Sequence, residues 1–195
     1  MSEDRITEQL AFLAEIDALK SVVRQSRIVD RSRRENSAEH SWHLAMFALV
    51  LADDETVDTA RVIKLLLVHD IVEIDAGDAP MHGNHDSKEV EARENAAAER
   101  LFGLLPDDQA AKLSALWREF EAAETPEARF AKALDRLQPL LLNTLTGGGT
   151  WTENHVTEQQ VHDRYGPTIQ RGSPILWRQA QDLVRRHFSD ANDGL

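Results

Sequence analysis

Apolar residues recur along most of the chain at intervals of three and four positions, which is the spacing of one helix face. No stretch of useful length alternates apolar and polar residues as a half-buried strand does. The spacing predicts helices near 7–23, 37–52, 58–76, 87–103, 107–123, 126–146, 157–170 and 173–188. We therefore expect an all-α fold with one domain over 1–195, a core of about 10–146 and C-terminal helices in 150–190 packed on it.

Several residues fall at the predicted helix ends. Ser37 is a candidate N-cap of the second helix, and Pro106, Pro126 and Pro174 suit first-turn positions, where a missing N–H costs little. Pro139 lies inside the 126–146 helix, where we expect a kink or a break.

Two predicted helices are apolar almost all round, over Leu44–Ala52 and Val62–Val68, and such helices are buried centrally. Both nevertheless carry titratable groups: His40 begins the first helix, and His69 and Asp70 lie toward the end of the second. Because buried polar groups without partners are costly, these side chains must be hydrogen-bonded, paired or bound to a metal.

The short link Asp53–Asp58 makes the two apolar helices antiparallel neighbours. At about 1.5 Å per residue, His40 and His69 lie roughly 18 and 16 Å from the link, so the spacing places them at the same height. Glu73 shares a helix face with the histidine–aspartate pair, and Asp78 follows in a loop near the site. Imidazole and carboxylate suit a divalent metal such as Mn, Co, Fe, Ni or Zn.

Composition narrows the function classes. The chain has 195 residues, a formal net charge of −12 and no cysteine, so thiolate metal sites and disulfides are excluded. A strongly acidic protein disfavours nucleic-acid polymers but accepts small phosphorylated substrates. The longest apolar run, Leu44–Ala52, is too short to span a membrane, and the N-terminus is polar. We expect a cytoplasmic protein with no membrane partner.

Three segments then resemble the HD-domain phosphohydrolases, and in particular their 5'-deoxynucleotidase branch. They are Arg34–Ser41, Val68–Pro80 and Ala133–Leu137, which contain the sequences ENSAEHS, HDIVEIDAGDAP and ALDRL. The resemblance implies a helical HD domain with a buried metal site between its central helices. It further implies one divalent metal per chain and a homodimer.

Carried over residue by residue, the resemblance implies His40, His69, Asp70 and Asp135 as metal ligands. It implies Glu73 and Asp78 as the acids that contact the substrate phosphate and orient or activate the attacking water. Arg24 matches a substrate-binding arginine.

This sequence departs from the branch at one place. The nucleotidases usually carry a tryptophan shortly after that arginine, whereas residues 25–28 here read QSRI. The sugar preference therefore stays open. His82 and His85 form a further histidine pair for which a second metal is an alternative to a loop role.

The sequence thus predicts hydrolysis of (deoxy)nucleoside 5'-monophosphates to nucleoside and phosphate by a metal-dependent phosphohydrolase. The alternatives are another HD-type nucleotide hydrolase (a triphosphohydrolase, or a phosphodiesterase for cyclic nucleotides or alarmones), a di-iron oxygenase on the same scaffold, and a non-catalytic nucleotide-binding module. The base, the physiological metal and the division of labour between Glu73 and Asp78 are left open.

Overall fold

A computed structural model describes residues 2–52, 56–79 and 86–193. Within those ranges the chain forms ten α-helices, two short strands and two 3₁₀ turns. The helices are α1 Glu3–Glu15, α2 Ser37–Leu51, α3 Thr59–Val68, α4 Glu73–Ala76, α5 Ser87–Phe102, α6 Asp107–Ala122, α7 Pro126–Leu145, α8 Gly149–Glu153, α9 Glu158–Gly172 and α10 Pro174–Asp193. The strands are β1 Val23–Arg27 and β2 Arg34–Asn36, and the 3₁₀ turns are Ile16–Ser21 and His69–Val72. The predicted all-α class is confirmed, with a small sheet added.

The N-terminal region corrects the prediction of one helix over 7–23. Helix α1 ends at Glu15, and β1 then pairs with β2 in an antiparallel, irregular register. The inward-facing residues of β1 are Arg24 and Ser26 rather than apolar side chains. A strand that buries polar groups leaves no apolar alternation, which is why hydrophobic spacing did not reveal it.

The predicted helix over 58–76 is also wrong as a single element. Helix α3 ends at Val68, the chain tightens into the 3₁₀ turn His69–Val72, and α4 then adds one short helix that ends before Gly77. Gly77 has a φ of 76°, a left-handed value that glycine adopts without strain. The tightened turn contains His69 and Asp70, so the site residues lie where the helix changes geometry.

The N-cap of helix α2 lies one residue before Ser37, which was the predicted N-cap. Its N-cap is Asn36, whose side chain accepts the backbone N–H of Glu39, while the Glu39 side chain accepts the backbone N–H of Asn36. This reciprocal pair is a capping box, and it leaves Ser37 inside the first turn. The Ser37 hydroxyl is therefore available to the site described below.

Helix α7 lies at the centre and contacts α2, α3, α6, α9 and α10. Its buried face, which includes Phe130, Leu134 and Leu140, joins apolar side chains of those helices in the main core. The helix continues through Pro139, so the alternative of a break there is wrong. A second apolar cluster under α1, α5 and α6 includes Phe102 and Trp117.

The C-terminal helices α9 and α10 pack on α7 and on each other. Within the described ranges, no helix combines the length and the hydropathy that a membrane crossing requires.

Candidate functional site

Antiparallel packing of α2 on α3 brings two histidines side by side. His40 lies in the first turn of α2, where the capping box fixes the backbone, and His69 directly follows the last residue of α3. Their ring centroids are 5.8 Å apart, and both side chains are buried. The matched height that the sequence spacing predicts is confirmed.

The tautomer of His40 follows from its neighbours. The Gln138 side-chain amide donates to Glu35 at 2.9 Å, so its oxygen faces His40 Nδ1 at 3.1 Å and accepts the Nδ1–H. Burial, helped by the positive charge of Arg24, lowers the pKa of His40 and favours the neutral ring. The Nε2 lone pair then faces an oxygen of Asp135 at 3.1 Å. Two lone pairs at that distance repel unless a cation lies between them.

A hydrogen bond also sets the orientation of the His69 ring, in this case one to the backbone carbonyl of Leu66. Its Nδ1 lies 2.8 Å from the carbonyl oxygen of Leu66, which can only accept, so Nδ1 carries the proton. Its Nε2 is buried without a hydrogen-bond partner, although one oxygen of Asp70 lies 2.8 Å away. Burial lowers the pKa of His69, but Asp70 and Asp135 outweigh that effect and raise the pKa to about 10. This point therefore attracts positive charge, from a proton or from a metal.

Two carboxylates complete the cluster. One potential ligand atom each from His40, His69 and Asp135 lies within 4.8 Å of the other two, and all three residues are buried. Asp70 lies beside this group, with an oxygen 4.0 Å from His40 Nε2. Burial alone would raise the pKa of Asp70, but His69 and Arg24 lower it to about 2. Both carboxylates are therefore ionised and can neutralise a divalent cation.

The residues fit a metal by the chemistry of their donors. Each histidine has its Nδ1–H committed to an oxygen acceptor, and each turns Nε2 toward ionised carboxylates. Metal-ligating histidines in proteins are oriented by the same kind of second hydrogen bond.

Arg24 reaches the cluster from β1. Its guanidinium lies 3.1 Å from Asp70, 3.7 Å from Glu73 and 3.8 Å from Asp78. Burial alone would lower the pKa of Arg24, but these acids raise it, so the side chain stays cationic. Its Nε is buried without a hydrogen-bond partner and lies 3.7 Å from an oxygen of Glu35. A buried arginine at the edge of a pocket can bind an oxyanion, because its planar fork matches phosphate oxygens.

Glu73 and Asp78 line the same side as Arg24. The Ser37 hydroxyl donates to one oxygen of Glu73 at 2.6 Å. Burial, followed by the negative charge of Asp70, raises the pKa of Glu73 to about 8. Burial also raises the pKa of Asp78, whose carboxylate accepts the backbone N–H of Gln25. Carboxylates with raised pKa values can take up a proton near neutral pH.

A pocket of about 220 Å³, called the metal-site pocket below, opens onto these groups. Six of the seven residues predicted from the sequence line it, namely Arg24, His69, Asp70, Glu73, Asp78 and Asp135. The seventh, His40, contacts Asp135. Glu94, Glu121 and Lys132 also line the pocket, and the sequence analysis did not identify them.

Sequence reasoning missed two buried residues behind the histidines. Gln138 lies three positions after Asp135 on α7 and therefore on nearly the same face, which was the available signal. Glu35, whose pKa is raised by burial, immediately precedes the α2 cap. The side-chain nitrogen of Gln138 also lies 3.3 Å from His43, so His43 contacts the site through Gln138 and not directly. His82 and His85 lie outside the described residues.

Comparison with known proteins agrees with this arrangement. The family described as HD domain matches residues 16–177. The human protein named 5'-deoxynucleotidase HDDC2 is 34% identical over 133 residues, which are 68% of this chain and 65% of that protein. A Shewanella oneidensis protein named 5'-deoxynucleotidase is 35% identical over 86 residues, 39% of this chain and 44% of that protein. The match with the human relative thus spans just under two thirds of its length.

Two solved structures are also similar. One, described as a predicted metal-dependent phosphohydrolase from Magnetospirillum magnetotacticum, is 53% identical with a TM-score of 0.89, covering 96% of this chain and 97% of that one. The other, described as the HD domain-containing protein YGK1, is 21% identical with a TM-score of 0.61, covering 93% and 86% of the two chains. The second likeness concerns the fold alone.

Proposed function

The chain belongs to the HD domain family, and we propose that it is a metal-dependent phosphohydrolase that cleaves (deoxy)nucleoside 5'-monophosphates to nucleoside and phosphate. The observation that carries the proposal is the convergence of the Nε2 atoms of two buried histidines on ionised carboxylates, beside a buried arginine. The relatives named 5'-deoxynucleotidase support the substrate class.

We assign the metal to His40, His69, Asp70 and Asp135, with one divalent ion per chain. A nitrogen and oxygen donor set suits Mn, Co, Fe, Ni, Mg or Zn. When bound, such an ion supplies Lewis-acid chemistry that polarises a phosphoryl oxygen and acidifies water. The protein contributes ligands whose orientation is fixed by Gln138 and by the Leu66 carbonyl.

Arg24 binds the phosphate in this proposal, and Glu73 and Asp78 act on the attacking water. Arg24 binds the phosphate oxygens and offsets the negative charge that spreads over them in the transition state. Glu73, held by Ser37 through one oxygen, keeps its other oxygen toward Arg24 and orients water or accepts its proton. Asp78 is the second candidate for that role. Together the acids and the arginine would orient the attacking water toward the phosphate.

We also propose a homodimer formed through an exposed apolar face. Helix α2 exposes Trp42, Met46, Leu49 and Val50, which are spaced as one helix face. Beside them, α2, α7 and α10 enclose an apolar groove of about 460 Å³. A contiguous exposed apolar patch of this kind marks an interaction surface, and a second copy of the chain would cover it. The cytoplasmic location expected from the sequence remains part of this proposal.

The test of the activity is phosphate release from a panel of ribo- and deoxyribonucleoside 5'-monophosphates, with metal content measured in parallel. We expect release by wild type loaded with Mn, Co, Ni, Mg or Zn. Asp70→Asn should lose both metal and turnover, whereas Glu73→Gln should keep metal and lose turnover by about a hundredfold or more. Glu124→Gln, an exposed acid beyond α6, is the matched control.

Absence of phosphate release from every monophosphate, in wild type that holds metal, would contradict the proposal. Release of pyrophosphate or tripolyphosphate from nucleotides would instead indicate one of the other HD-type hydrolases. Full turnover by Glu73→Gln would remove Glu73 from the mechanism and leave Asp78 as the candidate proton acceptor.

A further inference from the structure

A second pocket adjoins the metal-site pocket and is lined by cations. It has a volume of about 320 Å³ and lies between α7 and α9. Its charged lining consists of Arg129, Lys132 and Arg136 from α7 and Arg171 from α9. Lys132 and Arg136 line both pockets, so the two are neighbours that share one wall. We call the second one the cationic pocket.

The sequence of α7 builds one wall of the cationic pocket. Its three cations are spaced by three and four residues, so they form a stripe along one helix face. From Arg129 to Arg136 the stripe spans roughly 10 Å at about 1.5 Å per residue. Arg136 directly follows Asp135, which places one end of the stripe at the metal-site cluster.

Gly172 at the end of α9 brings the fourth cation to this stripe. A Cβ atom at Gly172 would lie 2.3 Å from the carbonyl oxygen of Arg129 and 2.5 Å from Cβ of Ala133. Only glycine therefore allows the end of α9 to lie directly on the α7 backbone. Arg171, the preceding residue, is held beside Arg129 by this close approach.

Two of the four cations lack an internal counter-ion. Lys132 pairs with Glu121 at 3.0 Å, and Arg136 lies 4.0 Å from Asp135. Across residues 2–52, 56–79 and 86–193, no carboxylate lies within 4.0 Å of Arg129 or Arg171. Nε of Arg129 is moreover buried without a hydrogen-bond acceptor.

Such clustering of like charge is unfavourable unless an anion shares it. The chain as a whole has 34 acidic residues against 22 basic ones, so the general composition does not produce this concentration of positive charge. A bound anion would neutralise the four clustered cations of the cationic pocket.

We propose that the cationic pocket binds a phosphate group other than the one that reacts at the metal-site pocket. Arginine forks bind phosphate through paired hydrogen bonds, and the lining residue Thr168 adds a hydroxyl donor. The volume lies at the lower end of the range for small-molecule pockets, about 300–1,000 Å³. This inference rests on the proposed function in one respect, namely that the reacting phosphate binds in the metal-site pocket.

Direct binding tests the proposal without any turnover. Inorganic phosphate is titrated into the full chain by calorimetry with a chelator present, which removes any metal-dependent binding. We expect wild type to bind phosphate and Arg171→Gln to bind it about tenfold more weakly, the effect of one lost charge-assisted hydrogen bond. Arg171→Lys, which keeps the charge without the fork, should fall between them. Because Arg171 is exposed, these variants should fold normally.

The matched control is Arg178→Gln, an exposed arginine on α10 with the same change in charge, which should leave phosphate affinity unchanged. No phosphate binding by wild type at millimolar concentrations would overturn the proposal. Equal weakening by Arg171→Gln and Arg178→Gln would also overturn it, because general electrostatics would then account for the effect. Neither outcome depends on whether the chain hydrolyses nucleotides.

A kinetic comparison identifies the source of the bound phosphate. If it belongs to the substrate molecule, a nucleoside 3',5'-bisphosphate has a lower KM than the corresponding 5'-monophosphate, and Arg171→Gln removes the difference. If it is a separate ion, the two substrates have equal KM values while inorganic phosphate still binds in the calorimeter. Either result supports a phosphate site in the cationic pocket, and the calorimetric arm decides whether the site exists.

Discussion

Gln138 is the residue on which the geometry of His40 depends. Its amide oxygen accepts the Nδ1–H of His40, and its amide nitrogen donates to the buried carboxylate of Glu35. Since both partners are buried, the amide cannot turn over without leaving a carboxylate and a ring N–H without partners. The orientation of the imidazole is thus set by a side chain that is not itself a candidate metal ligand.

We therefore expect Gln138→Met to weaken metal binding by about tenfold to a hundredfold, the usual effect of losing a hydrogen bond behind a ligand. It should also lower the free energy of unfolding by roughly 1–3 kcal/mol, because Glu35 and His40 lose a buried partner. Competition with a chromophoric chelator measures the first effect and thermal unfolding the second. Gln170→Met, at an exposed position of α9, is the control. A folded variant with unchanged metal affinity would show that Gln138 does not orient the ligand.

The residue scale also shows what the sequence could and could not reveal. His40 and His69 were placed together by helix spacing alone, because two apolar helices with a short link have few arrangements. Asp135 and Arg24 entered only through the family resemblance, since an acid on an amphipathic helix and an arginine after a helix resemble surface residues. Gln138 carries no such signature. Its role appears only when the distance between α2 and α7 is known.

At the scale of elements, burial of polar groups explains where the prediction of structure failed. Strand β1 turns Arg24 and Ser26 inward, so its alternation is invisible to an analysis of hydrophobicity. Helix α3 looked continuous to residue 76 because His69–Val72 keeps a helical handedness while tightening its turn. Long amphipathic helices such as α7 were predictable because their apolar face is wide. The elements that were predicted wrongly, β1 and the turn His69–Val72, both carry residues of the site.

The contact between α9 and α7 at Gly172 gives a prediction at this scale. Because the backbone of α7 blocks the space for a Cβ atom, Gly172→Ala should lower the free energy of unfolding by about 1–3 kcal/mol, as overpacking does. For a chain of this size each kcal/mol shifts Tm by about 2–4 °C. Gln170→Ala, exposed on the same helix, should leave Tm nearly unchanged. Equal Tm values for the two variants would mean that α9 does not press on α7 at this point.

At the scale of the whole molecule, the charges and the apolar surfaces are separated. Acids surround Arg24 in the metal-site pocket, and the cationic pocket lies next to it along α7. The groove beside the apolar face of α2 is lined almost entirely by apolar side chains. His43 lines that groove and also lies near Gln138. A partner covering the groove would therefore bury His43, which is linked to His40 through Gln138.

That arrangement makes the oligomeric state the prediction of widest consequence. Wild type should sediment as a dimer at micromolar concentration, because specific interfaces bury about 1,200–2,000 Å² and the exposed side chains of α2 supply an apolar centre for one. Val50→Glu, which places a charge where that face meets the groove, should shift the protein toward monomer. Leu10→Glu, on an exposed position of α1, should remain dimeric. A monomeric wild type, or a dimeric Val50→Glu, would show that the apolar face of α2 does not join two copies of the chain.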